Sequence, residues 1–408
     1  MLLLAACVQE NAEPDAPYDG PTWHADVAPI VTRSCAGCHA DGEVAPFPLT
    51  TYDEVAGMAS AVASAVADRR MPPWLASPDC ADYRFDLSLT DDEIATVTTW
   101  AEAGAPEGDP ADAVETEVAA DRGLTRVDHE LALPEPYTPT GSPDDYRCFA
   151  VDWPEAEAKW ITGFDVSPDN VPIVHHVVAY LARPEQVAQY AALDAADPGP
   201  GWTCYGGPGV GLQEDATWLG GWAPGASDGD FPNGTGIYVE PGSQVVLQMH
   251  YNTAAVEAGP DQSAMRVSVA DDVEAPAYIQ PWANPLWLYG DAMLIPAGGE
   301  DVSHSFSYTF DAGDTPFRVH TAALHLHTLG QSARLWIARA DGTEECLLDV
   351  PRWDFSWQRT YVLEEAKTIE AGDAVWIECT WDNPTDADVV WGEGTSDEMC
   401  LGTMLFSL

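Results

Sequence analysis

Two cysteines, Cys35 and Cys38, stand with two residues between them, and His39 follows at once. Thiols at this spacing can form thioethers to the vinyl groups of a haem while the neighbouring imidazole ligates its iron. The run Cys35-Ala36-Gly37-Cys38-His39 therefore predicts a covalently attached c-type haem. A second axial ligand is expected from Met71, held in the Pro-rich loop Arg70-Met71-Pro72-Pro73-Trp74, with Met58 as its rival. Further along, His175 and His176 are adjacent, His250 stands in Gln248-Met249-His250-Tyr251-Asn252, and His325-Leu326-His327 forms H-x-H. On a strand, residues two apart share a face, so His325 and His327 can grip one ion. Regular pleating sends His175 and His176 to opposite faces; they reach one ion only across a bulge or through different ring nitrogens. Met399, in the stretch from Gly394 to Cys400, completes a thioether and imidazole set with the H-x-H pair. Such a soft set suits copper cycling between oxidation states and does not suit zinc or magnesium.

The elements that must position these groups change character along the chain. Tyr52 to Arg70 is Ala-rich and amphipathic, and Leu89 to Ala103 opens with Thr90-Asp91-Asp92-Glu93, a capping-box start. Residues 21–109 thus read as a small all-α domain. An acidic segment without a base, Pro106 to Asp121, opens a linker placed at 110–140. Beyond it, β-rich runs such as Val171 to Val174, Ser243 to Met249 and Arg334 to Ile337 alternate with Gly, Pro and Asp turns. These read as two all-β sandwiches, 141–283 and 284–408, divided near Tyr278 to Asp291. The aromatic stretch Trp353 to Gln358 is expected to serve strand packing. His24, His129 and His304 carry no assigned role, and His320 is the remaining histidine nearest a metal motif.

Composition narrows the partners. The 408 residues include 67 acidic and 16 basic ones, a net charge of −51. Such a surface repels phosphate backbones and anionic head groups, which excludes nucleic-acid binding and polybasic membrane docking. There is no apolar run long enough for a transmembrane helix. Leu4-Ala5-Ala6-Cys7 resembles a bacterial lipobox, which makes Cys7 a lipidation candidate and 1–20 a truncated signal and tether.

The stretch from Trp23 to Asp109, with DVAPIVTRSCAGCH, MPPW and LTDDEIATVTTWAEAGAPEGD, resembles the cytochrome c domains fused to bacterial exported enzymes. From about Asp144 onward, VHHVVAY, LQMHYN, ALHLHTLG, WIECTWDN and GTSDEMC, in that order, resemble the copper type II, ascorbate-dependent monooxygenases, the family of the peptidylglycine-amidating and dopamine β-monooxygenases. The resemblance implies two jelly-roll-like sandwiches. One would hold a copper at His175, His176 and His250, which stores an electron; the other would hold a copper at His325, His327 and Met399, which meets O2. Gln248 matches a family glutamine at the cleft between the coppers. Cys379 and Cys400 match a family disulfide; Cys148 with Cys204 is a second candidate pair, and Cys80 and Cys346 stay unassigned.

Two departures bear on substrate. Where the peptidylglycine enzymes hold a peptide carboxylate with an arginine and a tyrosine, this chain has Ala323 and Thr403, and Arg318 would need a different approach. The resulting expectation is an exported monooxygenase, periplasmic or on the outer surface of a bacterium, with two copper ions and one haem c. It would insert oxygen from O2 into a C–H bond of an unidentified small substrate. Electrons would pass through the haem from a redox protein or small reductant, and any membrane attachment would be by lipid anchor. The alternative is a non-enzymatic electron-transfer or copper-binding protein on the same scaffold.

Overall fold

The computed structural model describes all residues except 1–17, 42–44, 119–122, 210–216, 224–228, 233 and 255, so Cys7 lies outside the described residues. The chain forms two compact units: Met1–Pro72 with Leu87–Ala119, and Pro73–Asp86 with Ala120–Leu408.

The first unit is helical. Ala28–Ser34, Tyr52–Gly57, Ala59–Ala67 and Asp91–Glu102 are its α-helices. Capping boxes open two of them, Thr51 with Glu54 and Thr90 with Glu93, each pairing a hydroxyl and a carboxylate with otherwise orphaned backbone N–H groups. The single helix expected from Tyr52 to Arg70 is instead two. It breaks where Gly57, a poor helix former, precedes Met58 with φ −120° and ψ 12°, outside the helical region. Trp23, Val27, Val55, Val97 and Trp100 are buried together as its core.

One segment expected inside the helical domain belongs to the second unit. Residues Pro73–Asp86 leave the first unit because Ala76 and Tyr83 are buried in the second unit's core and Cys80 is bonded to Cys346. Tyr83 Oη donates to the Leu347 carbonyl at 3.0 Å, and Arg84 N–H donates to the Val362 carbonyl at 2.8 Å.

The second unit is built on mostly antiparallel strands around two large hydrophobic cores and a smaller one that includes Tyr180, Tyr190 and Trp202. Phe149, Ile161, Phe164, Val245 and Leu247 belong to one large core; Leu324, Leu335, Ile337, Val375 and Ile377 belong to the other. The strand Ala275–Trp282 pairs with the C-terminal strand Leu401–Ser407, from Ala277 opposite Ser407 to Trp282 opposite Gly402. Successive side chains on a strand point to opposite faces. Met404 accordingly enters the second core and Leu405 the first, so one strand serves both. The strand expected from Val171 starts only at Val174, because Val171-Pro172-Ile173 turns, with Ile173 N–H bonded to the Asn170 carbonyl at 3.0 Å.

Three disulfides close the β-rich unit: Cys148–Cys204 and Cys379–Cys400, the pairs anticipated, and Cys80–Cys346, the pair left open. Disulfides persist in oxidising compartments, which marks an extracellular or secreted protein. No described helix is long and apolar enough to cross a membrane.

Candidate metal centres

The adjacent histidines sit on a bulge. Strand Val174–Ala182 pairs with Gln244–Asn252 so that Val174 faces Tyr251 and His176 faces His250, leaving His175 as the extra residue. A bulge bends the strand and re-aims side chains. The result brings one ring nitrogen each of His175, His176 and His250 within 4.8 Å of one another. Nδ1 of His176 lies 3.4 Å from Nδ1 of His175 and 3.3 Å from Nδ1 of His250.

The donor set fits a cation. His250 donates its Nε2–H to Oδ1 of Asp144 at 2.9 Å, which leaves its Nδ1 as a lone pair facing the other rings. The contact with His250 holds the Asp144 carboxyl well below the usual carboxylate range. Tyr146 stacks on His250 with centroids 4.1 Å apart and planes 9° apart, fixing the ring. Burial, with the neighbouring His250 second, pushes His175 down to about 4 and His176 well below its ordinary value. The neutral imidazole so favoured is the form that ligates metal.

The second set gathers at the end of strand Phe317–His325. His327 lies beyond that strand's end, so the two rings do not share regular strand geometry; their centroids are 5.0 Å apart. Each ring is oriented through Nδ1, His325 by Oε1 of Gln358 at 2.5 Å and His327 by the Asp397 carbonyl at 2.9 Å, which leaves both Nε2 atoms available. Burial pushes His325 down to about 3 and lowers His327 as well. Glu398 is fully buried, and its carboxylate accepts from the backbone N–H of His327 at 2.9 Å, Leu329 at 2.6 Å and Met399 at 3.3 Å, and from Trp381 Nε1 at 2.8 Å. It ties the H-x-H segment to the residue before Met399. Burial raises its pKa against the pull of those donors.

The two sets lie close within the same unit, with the rings of His176 and His325 6.4 Å apart. Phe355 stacks on His175 at 5.2 Å and meets His327 edge-on at 6.0 Å. Trp353 packs against the second core, as expected of this aromatic stretch, but the strand expected at Trp353 to Gln358 is not formed. The stretch is a loop, not a strand; Trp353 Nε1 donates to the His327 carbonyl at 3.1 Å and Gln358 orients His325. Sequence reasoning also missed Asp144 and Glu398. The only sequence signal for Glu398 is its place beside Met399, and nothing local marks Asp144.

His176, His325, His327, Met399 and Gln248 line one cavity of about 460 Å³, walled by Trp218, Trp222 and Trp282. Gln248 is buried, with its Nε2 on the Cys204 carbonyl at 2.7 Å and its Oε1 accepting from Tyr180 at 3.3 Å. Ala323 and Thr403 face each other across paired strands and leave that stretch of wall small. Glu393 also lines the cavity, its carboxyl pushed up to about 7 by burial.

In the helical unit, the N–H groups of Cys38 and His39 both reach the Cys35 carbonyl, at 3.1 and 2.9 Å, so the motif coils into one turn. Neither cysteine is in a disulfide. His39 Nδ1 lies 3.0 Å from the Phe47 carbonyl, which orients the ring and leaves Nε2 for iron. Burial pushes the Cys35 thiol up to about 11. Two thiols outside any disulfide beside an oriented imidazole fit covalent haem attachment. Met58 packs against the helical core, whereas Met71 is half-buried beyond the end of helix Ala59–Ala67, its N–H on the Ala65 carbonyl at 3.2 Å.

Residues 286–406 match the family described as copper type II ascorbate-dependent monooxygenase, C-terminal domain. DBH-like monooxygenase protein 1 of Homo sapiens is 27% identical over 199 residues, 45% of this chain and 32% of that protein. Its counterpart in Gallus gallus is 23% identical over 267 residues, 59% of this chain and 40% of that protein. The chain therefore spans well under half the length of these curated relatives. Among solved structures, the major capsid protein P2 from bacteriophage PM2 aligns over 68% of this chain and 96% of that one at 8% identity, with a TM-score of 0.27, too low to carry an argument. The family match supports a copper-dependent, monooxygenase-like function.

Proposed function

We propose that the chain is an exported copper-dependent monooxygenase that places one atom of O2 into a C–H bond of a small, largely apolar substrate. The observation that carries this reading is the convergence of His176, His325, His327 and Met399 on one apolar cavity. In this reading His175, His176 and His250 hold one copper and His325, His327 and Met399 the other. Copper in these sites would supply one-electron chemistry toward O2, with a soft, three-ligand site leaving room for it. The balance is two electrons and two protons per O2, with one oxygen atom in the alcohol and the other in water. Trp218, Trp222 and Trp282 exclude water and bind the hydrocarbon; Gln248 lines the cavity from the three-histidine strand. Glu393, with its carboxyl near 7, can hold one of the protons at neutral pH.

The helical unit is proposed to supply the electrons singly, through a haem held by Cys35, Cys38 and His39 with Met71 as the second axial ligand. Stopped-flow reduction of the haem should then be followed by reoxidation that depends on copper loading; equal rates with and without copper would sink this part. Export to a periplasm or outer surface agrees with the three disulfides.

The test is oxygen uptake by the reduced, copper-loaded chain as apolar substrates are added. Substrate-stimulated uptake that Met399→Ala abolishes supports the reading. Full copper occupancy without any stimulated uptake would leave a non-enzymatic electron-transfer or copper-binding protein.

A further inference from the structure

Among the described residues, Arg359 is the one arginine or lysine on the wall of the cavity that holds the candidate metal ligands. In a chain of 67 acidic and 16 basic residues, basic side chains readily find carboxylates, as Arg147 does at Asp197, Arg266 at Glu130 and Arg339 at Asp373. Arg359 forms no ion pair among the described residues, and its Nε is buried without a hydrogen-bond partner. Arg359 is half-buried, and its Nε is a donor shut off from water that a bound anion would satisfy. The group is not loose. Its central carbon lies 4.8 Å over the ring of Trp74 and 5.8 Å from that of Tyr361, which meet each other edge-on at 5.0 Å. Aromatic faces hold the flat side of the fork and leave its hydrogen-bonding edge for a ligand.

Placement relative to the metal ligands is equally specific. Arg359 directly follows Gln358, whose side chain orients His325. Gln358, Arg359 and His325 all line the same cavity, so an anion on Arg359 would share that cavity with a candidate metal ligand. The rest of the ligand would then lie among Trp282, Leu401 and Val362 in the cavity.

Resting on the reading of this cavity as the substrate site, we propose that Arg359 binds the carboxylate of an apolar monocarboxylic acid and so orients its hydrocarbon part toward His325, His327 and Met399. A dianion such as a phosphate ester is disfavoured. Among the described residues only one arginine or lysine lines the cavity, and Asp230 and Glu393 share its wall. Asp230 is itself occupied by Thr125, which donates to it through both its backbone N–H and its hydroxyl.

The test is calorimetric titration of the full chain, with and without copper, using 3-phenylpropanoate, its primary amide 3-phenylpropanamide, and the cation 3-phenylpropylammonium. The proposal predicts that the carboxylate binds at least about tenfold more tightly than the amide. Arg359→Gln should erase that preference while leaving amide affinity within about twofold, and Arg359→Lys should keep part of it. The neutral amide also reports whether a variant's cavity is intact. Tighter binding of the ammonium, equal binding of acid and amide, no binding of any probe, or a preference that survives in Arg359→Gln would each overturn the proposal. Because the copper-free chain is titrated too, a failure of oxygen uptake leaves this result standing, and the two readings fail separately.

Discussion

Asp144 and Thr395 are 251 positions apart, yet the threonine hydroxyl donates to Oδ1 of Asp144 at 3.0 Å, the same oxygen that receives Nε2–H of His250 at 2.9 Å. One carboxylate thus orients a ligand of the three-histidine set and also tethers the loop that carries Met399. Asn252 adds a third donor at 2.9 Å.

Asp144→Asn keeps the shape and removes the charge. A carboxylate partner raises the basicity of a ligating imidazole, so copper affinity at the three-histidine site should fall by about 10- to 100-fold. Titration against a competing chelator measures it, with Thr395→Val expected to have the smaller effect. Unchanged affinity in Asp144→Asn would show that the carboxylate does not support the site.

Glu398 offers a sharper stability test. Its two oxygens serve four N–H donors in a fully buried setting. Glu398→Gln presents only one acceptor oxygen and turns an NH2 toward backbone donors. We expect a loss of about 2–4 kcal/mol in the copper-free chain by urea unfolding. Met399→Leu, a volume-conserving change next door, should cost less than about 1.5 kcal/mol. Equal midpoints for the two variants would contradict the role given to Glu398.

The candidate metal-ligating residues were legible in the sequence, while the groups that aim them were not. The H-x-H spacing and the adjacent histidines stand out because few ordinary cores need them. The bulge that turns His175 and His176 to one ion could be named as a requirement, since alternation forbids the pair otherwise. Asp144, Gln358 and Glu398 carry no such mark. Each acts across a long sequence separation, Asp144 on His250 and Gln358 on His325, and single acids or amides on strands and loops are ordinary. The run around Phe355 reads as strand because it is aromatic, while it is a loop fixed by Trp353 on the His327 carbonyl, and Phe355 stacks on His175. The segment Pro73–Asp86 was misplaced for a related reason. Local pattern joined it to the helices on either side, and a disulfide with a residue 266 positions away assigns it to the β-rich unit.

That disulfide makes its own prediction. Replacing Cys80 and Cys346 with serine removes a cross-link that closes a long loop, which should cost about 2–5 kcal/mol in the β-rich unit. Scanning calorimetry under oxidising conditions should show a lowered transition. An unchanged transition would mean that packing of Ala76 and Tyr83 alone holds the segment.

His320 sets part of the acid sensitivity. Burial first, and Arg318 second, push it down from 6.5 to about 4, and its Nε2 lies 2.8 Å from the Ser407 hydroxyl. A folded-state pKa below the unfolded one means that the unfolded chain binds the extra proton between those values. The stabilising contribution is therefore complete above about pH 6.5 and is lost as pH falls toward about 4. His320→Leu should flatten the pH dependence of unfolding in that window by as much as about 1.4 kcal/mol per pH unit. Parallel pH profiles for wild type and variant would contradict the assignment.

The central claim, that two separate copper sites share this unit, is tested most directly by metal content. Protein matured in a periplasm, loaded with copper and freed of excess ion, should carry two coppers per chain by elemental analysis. Met399→Ala should carry one, because His175, His176 and His250 do not depend on the thioether. A wild-type ratio near zero, or a ratio of two that Met399→Ala leaves unchanged, would contradict the account.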